Sequence, residues 1–200
     1  MKSMYLTPNL YNKLYSYMTY DNVLALRVAL ETGMRIDDVL SLRAENLKGN
    51  TISYIMEKNG KEDRKIISSG LKNQLIKQLR NKRNKREYFF KHRTKRGKHR
   101  TRQAVWKNLK QACKKAGISD NITPHSARKT YGAEYFKQNG LEETQKALKH
   151  DNVNTTIIYA FSDVLTGNKA NKTSTDDMEM FAYLVASKVV EILRKEGVIQ

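Results

Sequence analysis

The chain has 200 residues, 39% of them hydrophobic, and a single cysteine, so it suits one ordinary domain with a real core and excludes an internal disulfide framework. No run approaches the roughly 20 apolar residues of a membrane helix, and the opening M-K-S-M-Y-L-T-P lacks the apolar core of a secretory signal. The formal net charge of +18 is concentrated: residues 80–115 hold sixteen Lys and Arg against one acid, Glu87, while the rest carries 22 against 19, an electrostatic footprint for a polyanion.

Thr7-Pro8 predicts a helix over residues 7–18, with proline at its first position. Val23, Leu24, Leu26, Val28, Ala29 and Leu30 make 22–32 a buried helix, and Gly33 stops it. Ile36, Val39, Leu40 and Leu42 repeat at helical spacing, so a second short helix follows at once. From residue 50 the pattern changes. T-I-S-Y-I-M-E-K, then Asn59-Gly60, then K-E-D-R-K-I-I predicts an antiparallel hairpin around 51–67, with positive φ at both turn residues. Leu71 to Leu79 has helical spacing, and Y-F-F at 88–90 is a short strand or an apolar anchor inside the basic run. Gln103 to Ala116 reads as a helix that turns Val105, Trp106, Leu109 and Ala112 inward and ends at Gly117. Pro124 opens the next helix and Gly140 closes it, and Leu141 to Leu148 forms another. Asn154 or Thr155 caps a helix containing Tyr159, and an amphipathic helix from about Met178 to Arg194 ends the chain. The expected fold class is α+β, mainly α-helical with one small antiparallel β-sheet.

Four short segments carry candidate chemistry. In T-P-H-S-A-R-K-T-Y, His125 and Arg128 share a helix face in the first turn after Pro124, where free N–H groups favour an anion. An isolated H-x-x-R is more often a helix-start histidine bonded to backbone. In T-G-M-R-I-D-D, Arg35 follows a helix-ending glycine, and Asp38 is placed to hold its guanidinium. Asp37 and Asp38 diverge by about 100° on a helix, with no third carboxylate at ligand spacing, so no metal is expected. Lys58 immediately precedes the Asn59-Gly60 turn, and His150 precedes Tyr159 by nine residues.

In that order, T-G-x-R, a hairpin lysine, H-x-x-R and H-(x)8-Y resemble the catalytic domain of tyrosine recombinases, the integrase family of phages and mobile elements. The resemblance runs from about residue 20 to about 165, with Lys149 standing where the family often has glycine. It implies an active site of Arg35, Lys58, His125, Arg128, His150 and Tyr159. There the tyrosine attacks a DNA phosphodiester, leaving a 3′-phosphotyrosyl link and a free 5′-hydroxyl. Two guanidiniums suit the non-bridging oxygens as permanently charged forks. His150 adds a hydrogen bond, His125 accepts the phenol proton or holds the phosphate, and Lys58 protonates the leaving oxygen. Lys61 and Lys65 share its hairpin as rival donors. Neither metal nor ATP is implied, and no cofactor.

Lys91, Arg93, Lys95, Arg96, Lys98, Arg100 and Arg102, in the basic run, are expected to contact double-stranded DNA, mostly at phosphates. Residues 1–175 are expected to form the catalytic domain. Residues 176–200 are expected to form a helix that packs on its own domain or docks on a neighbouring protomer of a homotetramer on DNA. Only 34 residues precede Arg35, too few for the separate N-terminal core-binding domain usual in the family. Accessory DNA-bending proteins are possible partners, and the setting implied is a prokaryotic cytoplasm without membrane attachment. Rival readings are type IB topoisomerase-like relaxation, a non-catalytic DNA-binding regulator that keeps the fold, and a basic RNA-binding protein.

Overall fold

In the computed structural model of the chain, the residues described are 4–79 and 84–149, with the isolated helical positions 186, 190 and 194. Contacts divide it into two units, Met1–Asp151 and Asn152–Gln200. The expected boundary at 175/176 and the capped helix at 154–155 lie outside the described residues, and of the expected C-terminal amphipathic helix only positions 186, 190 and 194 are described, each helical.

Helix α1 (Pro8–Tyr15) starts as its sequence requires, with the Thr7 hydroxyl accepting from Leu10 N–H and proline in the first turn. Helix α2 (Tyr20–Thr32) is the central element and packs against α3, α4, α5 and α6. Its apolar residues occupy nearly the whole circumference, and Val23, Leu24, Ala25, Leu26, Val28 and Ala29 are all buried. Gly33, at φ +68°, ends it in a left-handed turn, so that α3 (Ile36–Leu40) begins within three residues.

A three-stranded antiparallel sheet follows, ordered β1 (Leu47–Lys48), β2 (Thr51–Ile55) and β3 (Glu62–Ile66). The short first strand is an addition to the expected hairpin. Ile52 and Tyr54 face the core and pair with Lys65 and Asp63, while Ile55 and Ile66 lie on the solvent face. The Asn-Gly turn differs from its expectation. Strand pairing stops at Ile55–Glu62, and Met56 O accepts from Gly60 N–H at 2.9 Å while Met56 N–H donates to Lys61 O at 2.9 Å. Only Gly60 has positive φ, at +68°. The loop therefore has four residues, 57–60, and needs one left-handed residue where a two-residue turn needs two.

Helix α4 (Ser69–Gln78), capped by Ser68, buries Leu71 and Leu75. Helix α5 (Arg102–Lys115), capped by Thr101, buries Val105, Leu109, Ala112 and Cys113. Trp106, expected to face inward, is 45% exposed. At 100° per residue it sits at the margin of the arc those four residues define. Helix α6 (Pro124–Leu148) is interrupted at Gly140, whose φ of 75° and ψ of −175° separate two helical segments where the sequence places a stop. The N-terminal segment is tied to α6: Leu6 N–H donates to Thr130 Oγ1 at 2.8 Å. Among the described residues no helix is long and apolar enough to cross a membrane.

Candidate active site

Arg128 lies one turn into α6 and is 5% exposed. Its Nη1 donates to Gly33 O and its Nη2 to Leu148 O, each at 2.5 Å. One guanidinium thus joins the end of α2 to the end of α6. The Gly33 carbonyl is presented by the left-handed turn that starts α3. Arg35 sits at that junction in extended conformation, its carbonyl accepting the Val39 N–H at 3.0 Å. Arg35, His125 and Arg128 line one pocket of about 320 Å³, with Arg102 and Trp106 from α5. Residues far apart in the chain therefore share a single cationic hollow.

His125 opens to solvent at the start of α6, where the Ser126 hydroxyl accepts the Thr123 N–H at 3.0 Å and squares the first turn. Packing around the ring removes part of its hydration and lowers its pKa, and the charges of Arg128, Lys129 and Arg35 lower it further. All of these causes act in one direction and favour the neutral imidazole, which can accept a proton. In an NMR titration of the four histidines, His125 is expected to titrate below the ordinary value of about 6.5. A midpoint at or above that value would contradict this environment.

The hairpin is fastened to this site by a buried carboxylate. Asp38, 2% exposed, accepts the Glu57 N–H through Oδ1 at 2.9 Å, at the residue just before Lys58. Burial raises its pKa, while the Glu57 N–H, Arg35 and Arg128 each pull it down. The expected hold of Asp38 on the Arg35 guanidinium is not an ion pair here: Asp38 feels the charges of Arg35 and Arg128 and bonds the base of the hairpin instead. Lys58 itself lies on the exposed loop. Lys65 is placed differently. Its ammonium, 11% exposed, pairs with Asp63 at 3.2 Å and donates to Ala147 O at 2.5 Å. Burial lowers its pKa. Tyr54 Oη donates to the same Asp63 carboxylate at 3.1 Å. Lys65 and Arg128 together hold residues 147 and 148, so the chain leaves α6 toward His150 from a fixed point. Lys149, left-handed at φ 49°, caps the helix there. His150 and Tyr159 themselves lie outside the described residues. Of the expected six, the structure brings Arg35, His125 and Arg128 together and links the Lys58 loop to them through Asp38.

The basic run is sorted by its partners. Arg100 turns inward, 13% exposed, onto Asp21 at 2.6 Å. Lys91 pairs with Glu87, and Arg102 meets Asp37 at 3.3 Å on the surface. Arg93, Lys95, Arg96 and Lys98 have no ion-pair partner among the described residues. Sequence reasoning missed Asp63 and Arg43 as organising residues and weighed Lys65 only as a rival proton donor, because Ala147 and Tyr88, the partners of Lys65 and Arg43, are distant in the chain. No three His, Cys, Asp or Glu side chains gather as a metal site among the described residues.

The model of the phage integrase family matches residues 4–164. The chain belongs to this family. A tyrosine recombinase XerD of Staphylococcus aureus is 32% identical over 169 residues, which is 76% of this chain and 52% of that protein. Among solved structures, a lambda integrase dimer bound to a COC′ core site superposes with a TM-score of 0.68 at 18% identity, covering 88% of this chain and 52% of that one. The catalytic domain of bacteriophage HP1 integrase gives a TM-score of 0.59 at 18% identity, covering 87% of this chain and all of that one. The chain spans about half the length of the curated relative it matches, and its fold is that of an integrase catalytic domain.

Proposed function

We propose that the chain is a site-specific DNA recombinase domain that cuts and rejoins strands through a covalent 3′-phosphotyrosine. The observation that carries this reading is the meeting of Arg35, His125 and Arg128 in one pocket. Two guanidiniums, that of Arg128 held by two carbonyls, suit the charge that builds on phosphoryl oxygens in the transition state, and a neutral imidazole beside them suits proton acceptance at pH 7.

In the proposed step the Tyr159 oxygen bonds to phosphorus and its proton passes to His125. The bond from phosphorus to the 5′-oxygen breaks, and that oxygen takes a proton from Lys58. His150 donates a hydrogen bond to the phosphoryl oxygens. Attack by another strand's 5′-hydroxyl reverses the step, so the phosphotyrosine conserves the bond and no ATP is consumed. Cationic side chains do the work a metal would otherwise do. Strand exchange of this kind, for a phage or mobile element in a prokaryotic cytoplasm, requires paired sites. A homotetramer on DNA, with the C-terminal helix as its contact, is the proposed assembly.

The test is a duplex library nicked just downstream of possible cleavage points, so that the short 5′-hydroxyl fragment diffuses away. An SDS-resistant adduct is expected, in EDTA and without ATP, and its DNA-linked peptide should contain Tyr159. An adduct on another residue, or one that EDTA prevents, would refute the mechanism.

A further inference from the structure

After α3 the chain pairs with the start of the basic run: Phe89 N–H donates to Leu42 O at 3.0 Å and Ala44 N–H to Glu87 O at 2.9 Å. Phe89 and Phe90, 3% and 0% exposed, anchor that pairing in the core. Arg43 is consequently set opposite Tyr88. Its Cζ lies 4.2 Å from the Tyr88 ring centroid, its Nη2 donates to Tyr88 Oη at 2.5 Å, and its Nη1 donates to Arg86 O at 3.2 Å. His99 packs edge-on against the same tyrosine, ring centroids 5.4 Å apart. Residues 90–100 fold back as a small hairpin, with Arg100 N–H on Phe90 O at 2.8 Å, His92 N–H on Lys98 O at 2.9 Å and Gly97 left-handed at its tip. His92 Nδ1 accepts the Thr94 and Lys95 N–H groups, which orders the turn.

These pieces enclose an open pocket of about 610 Å³ that contains none of the residues lining the Arg35 pocket. Its acid, Glu87, is neutralised by Lys91. Arg43, Arg93, Lys95, Arg96 and Lys98 remain around it without an ion-pair partner among the described residues. Like charges gathered this closely repel, and an anion relieves that repulsion. Arg43 differs from the others because its fork is already ordered by a cation–π stack and two hydrogen bonds, which take two of its five N–H groups. A pre-ordered fork loses less entropy on binding and matches the oxygens of a phosphate.

We propose that this pocket is a second anion site, in which Arg43 grips a DNA backbone phosphate other than the one under attack. The proposal rests on the strand-cleaving reading above. Its openness and the spread of cations along the hairpin favour a continuous phosphodiester backbone over a small free anion.

The test is duplex binding by the 200-residue chain across a salt series. Each phosphate neutralised contributes about 0.9 to the slope of log affinity against log salt. Arg43→Gln is expected to lower that slope by about 0.9 and to weaken binding about 10-fold near 0.1 M salt, equally on unrelated sequences. A methylphosphonate placed at one backbone position should weaken wild type similarly and leave Arg43→Gln unaffected. If the Gln variant does not fold, Arg43→Lys substitutes for it: it keeps the charge, and so the slope, but binds several-fold more weakly through loss of the fork. An unchanged slope in Arg43→Gln, no methylphosphonate position coupled to residue 43, full affinity in Arg43→Lys, or displacement of duplex by millimolar inorganic phosphate would overturn the proposal. If wild type binds duplex in the ordinary way, those outcomes reject the pocket alone. A wild type that neither binds duplex nor forms the adduct rejects the strand-cleaving reading as well.

Discussion

Arg128→Ala is expected to reduce strand cleavage at least about 100-fold, on the scale of removing an oxyanion donor, and to lower stability by about 3 kcal/mol. Both effects follow from one side chain with two duties. Its Nη atoms hold Gly33 O and Leu148 O, and a hydrogen bond from a charged donor is worth about 1.5–3 kcal/mol. Truncation leaves two carbonyls without their donor and removes a cation from the neighbourhood of buried Asp38. The same guanidinium lines the pocket with Arg35 and His125, so the phosphate loses one of two clamps. Arg128→Lys should restore little, because a single ammonium cannot span two carbonyls and a phosphate in forked geometry. Urea unfolding and single-turnover cleavage separate the duties. A variant that is destabilised but cleaves at the wild-type rate when folded would show Arg128 to be a strut without a part in the chemistry.

Much of this architecture was legible because local chemistry and tertiary packing agree. Pro8, Gly33, Pro124 and Gly140 sit at element boundaries because φ restriction and φ permissiveness act within one or two residues. The Asn59-Gly60 pair marks a hairpin correctly yet not its turn, since the loop length depends on where pairing between the strands stops. Trp106 shows the limit of periodicity: a residue at the edge of an apolar arc goes in or out according to what the neighbouring helix offers. The basic run shows the limit of charge counting. Arg100 and Arg96 are equivalent in the sequence, but Asp21, 79 residues from Arg100, claims one of them. Candidate site residues were found through the order of four motifs. No spacing rule brings Arg35 to Arg128, because their meeting is made by a carbonyl at Gly33 that carries no side chain to read.

That carbonyl underlies the second large effect. Gly33→Ala is expected to lower stability by about 3 kcal/mol or more and to depress cleavage along with it. Two costs combine. At φ +68° a side-chain-bearing residue is strained by about 1–2 kcal/mol. A Cβ there would also overlap Tyr131 Cδ1, lie 2.6 Å from its Cε1 and approach Leu148 Cδ2 to 3.0 Å. Tyr131 is braced by stacking on Tyr135, ring centroids 5.4 Å apart, so the ring cannot swing away without losing that contact, and overpacking of this kind costs about 1–3 kcal/mol. Any shift of the turn moves the acceptor of Arg128 Nη1 and the start of α3, which carries Arg35. Gly60 provides the control: it has the same φ of +68° but nothing within 4 Å of a built Cβ. Gly60→Ala should therefore show the backbone cost alone, about 1–2 kcal/mol. Gly33→Ala should be much less damaging in a Tyr131→Ala background than against wild-type Tyr131, because the overlap is gone while the φ strain stays. Equal urea midpoints for Gly33→Ala and Gly60→Ala would mean that the motif glycine serves only the turn, and that the close seat of Tyr131 against it does not position the arginines.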